Sequence, residues 1–418
     1  MFEIQEEIKK SRHEDGMNMV KLGDIATYVN GYAFKPDDRG DYGLPIIRIQ
    51  DLTGNTYDLG FYDGDYPKKI EINNGDILIS WSASLGVYEW KRGKALLNQH
   101  IFKVVFDKEV DVSKKYFVYA VKYKLEELSR KSHGATMKHV IKKDFDNTKI
   151  PFPSFVRQKE IAERLEKTSK IISGRKKQLQ KLDELIQARF VEMFGDPIMN
   201  QKGWRVKTLG ELSVQINSGN TPKGGEQVYT KKGITFFRSQ NVWKDRLEMK
   251  DIAYIDEKTH ASMKKSSLKH GDILMTKTGR INTVNSSLGR AALYLGEDDA
   301  ANVNGHVYFI RLKPNVNNKF VLRILVSNEY RDYIRSVCVG GIDKRQLNKN
   351  HIEDFPIICP PKDMVDEYID FVNQVNKSKL VIKTCCKYIS IKYRCENKKL
   401  DTVSNRSCTC MGVVGLGK

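Results

Sequence analysis

Two kinds of hydrophobic pattern alternate along this chain, and the alternation occurs twice. The first kind is short. "LPIIRI" from Leu44, "GDILIS" from Gly75 and "HIFKVVF" from His100 are β-branched runs bounded by Gly, Asp or Asn. Such runs predict strands. The second kind is long and periodic. In Gln158 to Phe194, alternating steps of four and three from Ile161 reach Leu165, Thr168, Ile172, Arg175, Leu179, Leu182, Ile186 and Arg189. Leu165, Ile172, Leu179 and Ile186 form one unbroken heptad seam, and the second seam is mixed. Gly195-Asp196-Pro197 stops the helix. After Pro361 the same walk gives Met364, Tyr368, Phe371, Val375, Ser378, Ile382, Cys385 and Ile389. At ~1.5 Å per residue, roughly 35 residues make a rod about 50 Å long. A lone helix of that length with an apolar seam needs a partner, and the nearest is the other copy.

The strand blocks also recur in order. "KLGDI" at Lys21 is echoed by "TLGEL" at Thr208. "PIIRIQDL" from Pro45 is echoed by "TFFRSQNV" from Thr235, pairing Arg48 with Arg238 and Gln50 with Gln240. "NGDIL" at Asn74 returns as "HGDIL" at His270, and "NQHIFKVVF" as "NGHVYFIRL", pairing His100 with His306. A Gly-containing turn with a Lys follows in each half, and each half closes on prolines, "IPFP" from Ile150 and "FPIICPP" from Phe355. The predicted class is α+β: two β-rich domains, each followed by a long helix, the helices pairing as an antiparallel coiled coil. The predicted organisation is an N-terminal extension (1–20), a first domain (21–155), a central helix (156–196), a second domain (207–360), a C-terminal helix (361–394) and a disordered Cys-containing tail (395–418).

Composition narrows the function. The 418 residues carry a net charge of +19 and a pI near 9.4. Excess Lys and Arg favours a polyanionic partner, above all nucleic acid. No run of about 18 apolar residues spans a bilayer, and the charged N-terminus is not a signal peptide. None of the seven cysteines precedes Cys338, unlike a secreted disulfide framework. A cytoplasmic protein is expected.

Catalytic signatures are missing. There is no GxxxxGK[ST], HExxH or GxSxG, and "CPPK" at Cys359 lacks the flanking residues of an amino-methyltransferase loop. Cys385, Cys386, Cys395, Cys408 and Cys410 lack the spacing of a zinc site, and no metal is expected. Gly-Asp before an apolar run is foremost a turn feeding a strand, so the loops beyond it are the candidates for touching DNA. After the first such strand come Ser80, Trp81, Ser82 and Arg92. After the second come Lys277, Thr278, Arg280, Asn282 and Arg290. Small hydroxyls fit close to phosphate, while Arg, Asn and Gln can read base edges. Lys138-His139 and Lys344-Arg345 occupy matching later turns. Arg48, Gln50, Arg238 and Gln240 are candidates for a repeated DNA contact or, equally, a repeated fold-holding bond. His100 and His306 suit strand ends.

This arrangement resembles the specificity subunit of type I restriction–modification enzymes, from about Lys21 to Ile389. The resemblance is carried by the two β-rich copies, by "IPFP…RQKEIAERLEK" with Gln158, Ile161 and Leu165, and by "FPIICPPKDMVDEYIDFVNQVNKSK". It implies two target recognition domains, each reading half of a split double-stranded DNA target. It implies helices that pair through Ile161, Leu165, Ile172, Leu179, Leu182 and Ile186 on one side and Tyr368, Phe371, Val375, Ile382 and Ile389 on the other. It also implies two modification subunits, two restriction subunits, and S-adenosylmethionine and ATP/Mg bound by those partners, with no cofactor in this chain. A structural adaptor and a stand-alone DNA-modifying enzyme are the rival readings.

Overall fold

A computed structural model describes residues 18–54, 59–82, 84–130, 140–281, 283, 285–341 and 344–399, with backbone alone for 126, 130 and 390–399. The chain divides into two compact units. One is Met1–Lys176 with Thr384–Lys418, the other Lys177–Lys383. The division falls inside both long helices, which run over Phe155–Phe194 and Lys362–Lys399. The C-terminal helix therefore continues five residues past the predicted end at 394.

The same frame is built in each unit. In the first, a four-stranded sheet has the order Thr27–Asn30, Ile101–Val105, Ile77–Ser80, Gly86–Glu89. In the second, the order is Ser213–Ser218, Val307–Leu312, Ile273–Thr276, Ala291–Leu293. The two GDIL strands sit at the same place and make the same antiparallel pairs. Ile77 faces Val104 and Ser80 faces Ile101; Ile273 faces Ile310 and Thr276 faces Val307. All four residues of each are buried, so both faces of the strand contribute to core. A second sheet in each unit holds one parallel pair, Ile46–Leu96 in one and Phe236–Asn302 in the other.

The turn before each GDIL strand explains its spelling. Gly75 and Gly271 sit at φ 90° and 87°, backbone that a side chain disfavours. Asp76 accepts from the Asn73 N–H and Asp272 from the Lys269 N–H, each at 2.8 Å, closing the turn from its far side. A cation from the opposing strand then meets each carboxylate: Lys103 with Asp76 at 3.1 Å, Arg311 with Asp272 at 2.8 Å.

Each domain's first strand pairs with its last. Asn18–Lys21 lies antiparallel to Lys149–Phe152, and Arg205–Thr208 to Pro356–Cys359. A buried tyrosine locks each closing strand, Tyr116 donating to the Pro151 carbonyl and Tyr330 to that of Pro356. Burial pushes both phenols far up, so they remain donors.

The central helix begins on its own domain. Ala162 is buried in the first core and Ile161 packs against it; Leu165 is also buried. Gln158 is fully buried. Its Oε1 accepts from the Ser113 N–H, and its Nε2 donates to the Asp111 and Pro153 carbonyls. Gln158→Leu would strand one donor and two acceptors in a dry site. A loss of about 3 kcal/mol is expected, seen as a lower unfolding midpoint of the first unit; an unchanged midpoint would show that the loop simply rearranges.

Inside the second unit the two helices pack together. Ile186, Phe190, Met193 and Phe194 share a core with Val365, Tyr368, Ile369, Val372 and Val375. The Tyr368 hydroxyl donates to the Ile186 carbonyl. Arg189 pairs with Glu367, and Asp183 with Lys379, so one helix's numbering falls as the other's rises: the contact is antiparallel. Ile172, Leu179 and Leu182 are half-buried, as are Ile382 and Ile389. One predicted stripe shifts. Past Tyr368 the buried and half-buried stripe runs through Val372, Val375, Lys379, Ile382, Cys386 and Ile389, while Ser378 and Cys385 are exposed. Phe371 keeps a partial contact with the core. Lys379 belongs to the stripe because its stem can lie on apolar surface while its amine reaches Asp183.

Candidate nucleic-acid interface

Both GDIL strands end in a buried hydroxyl that turns back on the loop beyond. Ser80 Oγ donates to the Ser84 carbonyl, and Thr276 Oγ1 to the Ser287 carbonyl. The next residue is held by its backbone in the same way in both domains. The Trp81 N–H donates to the His100 carbonyl and the Lys277 N–H to that of His306. The Val140 N–H then donates to the Trp81 carbonyl, and the Leu347 N–H to that of Lys277. One frame thus carries two different side chains, Trp81 and Lys277, and two different loops.

In the first domain, this position is packed. Trp81 stacks near Phe102 at 5.6 Å, meets His100 edge-on at 4.9 Å, and donates from Nε1 to Asn30 Oδ1. Ser82 is buried as well. Arg92 is exposed, with its guanidinium 4.5 Å from the Trp90 ring centre and one amine on the Asp51 carbonyl. Lys138 and His139 lie outside the described residues.

In the second domain, the candidates come together. Thr278–Gly279, Arg345–Gln346 and Val339–Gly340 form a three-stranded patch in that order, with Thr278 facing Gln346 and Gly279 facing Arg345. Lys277, Thr278, Arg280, Lys344 and Arg345 therefore belong to one small surface, although their two strands, Thr278–Gly279 and Arg345–Gln346, lie far apart in the chain. Lys277 is half-buried with Nζ 5.7 Å from the Tyr308 ring centre, an attraction of ammonium for the ring face. Arg280 and Lys344 are exposed. Arg345 donates to the Cys338 carbonyl. Asn282 lies outside the described residues.

Arg48 and Arg238 head matching turns. The Arg48 N–H donates to Asp51 Oδ2, and the Arg238 N–H to Asn241 Oδ1. Arg238 and Gln240 also converge on Asp251, while Gln50 is half-buried in its turn. The repeated backbone bond accounts for the Asp or Asn three residues after each Arg.

Sequence reasoning missed Trp243, Lys244, Arg246 and Arg331. The first three lie on a hairpin, Val242–Trp243 against Arg246–Leu247. The signal was "VWKDRL", an aromatic among cations with an Asp able to turn. Among the described residues, no group of three or more His, Cys, Asp or Glu is placed to hold a metal, and no helix is long and apolar enough to cross a membrane.

The duplicated frame has a counterpart in known proteins. Residues 14–184 and 201–387 each match the family described as "Type I restriction modification DNA specificity domain". The chain belongs to this family. The specificity domain occurs twice in the chain, once in each half. Relatives include the type I restriction enzyme EcoBI specificity subunit of Escherichia coli, 23% identical over 65% of this chain and 62% of that one. The chain thus spans about three fifths of that relative. The MjaVIII specificity subunit of Methanocaldococcus jannaschii is 22% identical over 79% of each chain. The StySPI specificity subunit of Salmonella potsdam is 23% identical over 88% of this chain and 84% of that one. The crystal structure of a type I restriction–modification S subunit from M. genitalium shares the fold. It has a TM-score of 0.53 and 13% identity, over 93% of this chain and 96% of the other. In this family, then, the two matched segments are specificity domains, each built on one GDIL frame.

Proposed function

We propose that this chain is the DNA-reading subunit of a type I restriction–modification complex, with a bipartite target. Each β-rich domain reads one half-site on double-stranded DNA, and the paired long helices fix the spacing between them. The helices also dock two modification subunits, which bind S-adenosylmethionine and methylate the target. Two restriction subunits, which use ATP and Mg, complete the assembly. The observation that carries this reading is the matched pair of backbone frames holding different residues, Trp81 and Lys277, at one position. Two copies of one reader with divergent loops suit two different half-sites.

Purification of the complex from its native host, with sequencing of methylated sites, tests the whole reading. A split motif with a fixed spacer and co-purifying methyltransferase chains is the expected result. A continuous motif, or no partner chains, would overturn it. Binding should also weaken steeply with salt, because cations on phosphate release counterions.

A further inference from the structure

The hairpin beside the second reading loop gathers cations that the three-stranded patch does not include. Asp245 turns it at φ 60° and donates its N–H to the Ala291 carbonyl, tying the turn to the strand after the loop. Two guanidiniums then lie over one indole. Arg290 is 4.0 Å and Arg246 5.3 Å from the Trp243 ring centre. Trp243 is oriented by its own Nε1, which donates to the Gln240 carbonyl at 3.0 Å. Lys244 Nζ reaches only a neutral atom, Asn328 Oδ1, at 3.3 Å. Arg331, from the helix Asn328–Val337, donates to the Thr283 carbonyl and so borders the same loop.

The carboxylates nearby do not neutralise this group. Asp245 is taken by Arg323 at 2.6 Å. Glu329 and Asp245 act on Lys244 only at longer range, and burial with Arg323 and Arg331 outweighs them. Among the described residues, no carboxylate pairs with Lys244, Arg246 or Arg290. Burial lowers the Arg290 guanidinium from its usual value, and the charges of Arg246 and Arg331 lower it further. Burial also lowers Lys244, with Arg323 and Arg331 adding to the effect. Like charges are held together at an energetic cost that a bound anion would relieve.

Orientation also favours a flat anionic strand over a small ion. Lys244 and Arg246 are exposed on the hairpin turn, while Arg290 is half-buried behind them. The Arg290 fork is already committed to its own loop, its Nε donating to the Ser286 carbonyl at 2.8 Å. It positions and charges the site, and the two hairpin cations, exposed and held by no carboxylate pair among the described residues, face the solvent.

We propose that Arg246 and Arg290, held over Trp243, with Lys244 beside them on the hairpin turn, form a phosphodiester-binding site that grips the DNA backbone beside the second reading loop. This rests on the functional reading above and adds a positioning contact to it. The matching stretch of the first domain, "DLTGNTYDLG" from Asp51, carries no Lys or Arg, so the grip belongs to one half-site. Phosphate contacts fix register and carry no base information.

The test uses the full chain in its native complex, bound to its target duplex and to a scrambled duplex of equal length, across a salt series. Arg246→Gln should weaken binding to both duplexes by the same factor and reduce the salt slope by about 1. Lys244→Gln with Arg246→Gln should reduce it by about 2. Arg246→Lys should keep the wild-type slope, which separates lost charge from a damaged hairpin. If the wild type prefers its target and both Gln variants keep its slope, the phosphate site is overturned. A loss confined to the target duplex would also overturn it, since that is base reading. If the wild type shows no preference for its target, the functional reading falls first.

Discussion

Arg311→Met should destabilise the second domain by about 3 kcal/mol, whereas Lys103→Met should cost the first domain only about 1. The two residues do the same job. Each meets the aspartate of a GDIL turn, and each also caps a backbone carbonyl, Lys103 on Glu71 and Arg311 on Ser267. The settings differ. Asp272 has a side chain 1% exposed and Arg311 is 21% exposed; Asp76 and Lys103 are 24% and 19% exposed. Arg311 also engages both oxygens, Nε to Oδ1 at 3.0 Å and Nη2 to Oδ2 at 2.8 Å. Removing it leaves a buried carboxylate with the Lys269 N–H but no cation, and such orphans are expensive. Removing Lys103 leaves Asp76 able to find water. Separate unfolding midpoints for the two units decide the matter. Equal losses would show that burial of the aspartate is not what sets the cost.

The second large effect is on the target. Exchanging the loop 277–290 together with 339–346 for those of a family member of different specificity should change one half of the methylated sequence and leave the other intact. Each mismatched base pair costs about 1–3 kcal/mol in such interfaces, so a rebuilt surface moves its half-site outright. The frame should tolerate the exchange. The hydroxyl of Thr276 and the carbonyls of His306 and Ser287 hold the loop's root from outside the variable side chains. Methylation-site sequencing reads the outcome, and movement of both halves would mean that the domains do not read independently.

The frame was legible because turn chemistry is local. Gly at positive φ, an Asp that closes the turn and a β-branched run are spelled in consecutive residues, and they recur. Gln158 stood out in the sequence, but its three partners at Asp111, Ser113 and Pro153 did not. Those meet it only after the chain has folded back. The helical walk found Tyr368, Val375, Ile382 and Ile389 but placed its second stripe one residue early. It had no means of seeing that Lys379 could join a seam by pairing with Asp183. The Trp243 hairpin escaped because its strands are two residues each, too short for alternation to register. Gly279 and Arg345 became neighbours, and Lys277 and Leu347 beside them, through the pairing of two-residue strands, and no periodicity encodes that.

The pairing of each domain's first strand with its last has a consequence for inheritance. Lys21 lies opposite Lys149, and Thr208 opposite Pro356. Each domain therefore leaves the chain where it entered it, like a cassette in a slot. A genetic crossover at each of the two adjacent strands would replace everything between them, asking the new domain to keep the four backbone pairs of that seam and the contacts that seat the helix, such as those of Gln158 with Asp111 and Ser113. A lineage could acquire a new DNA address in one event, while the helices and whatever docks on them stay as they were.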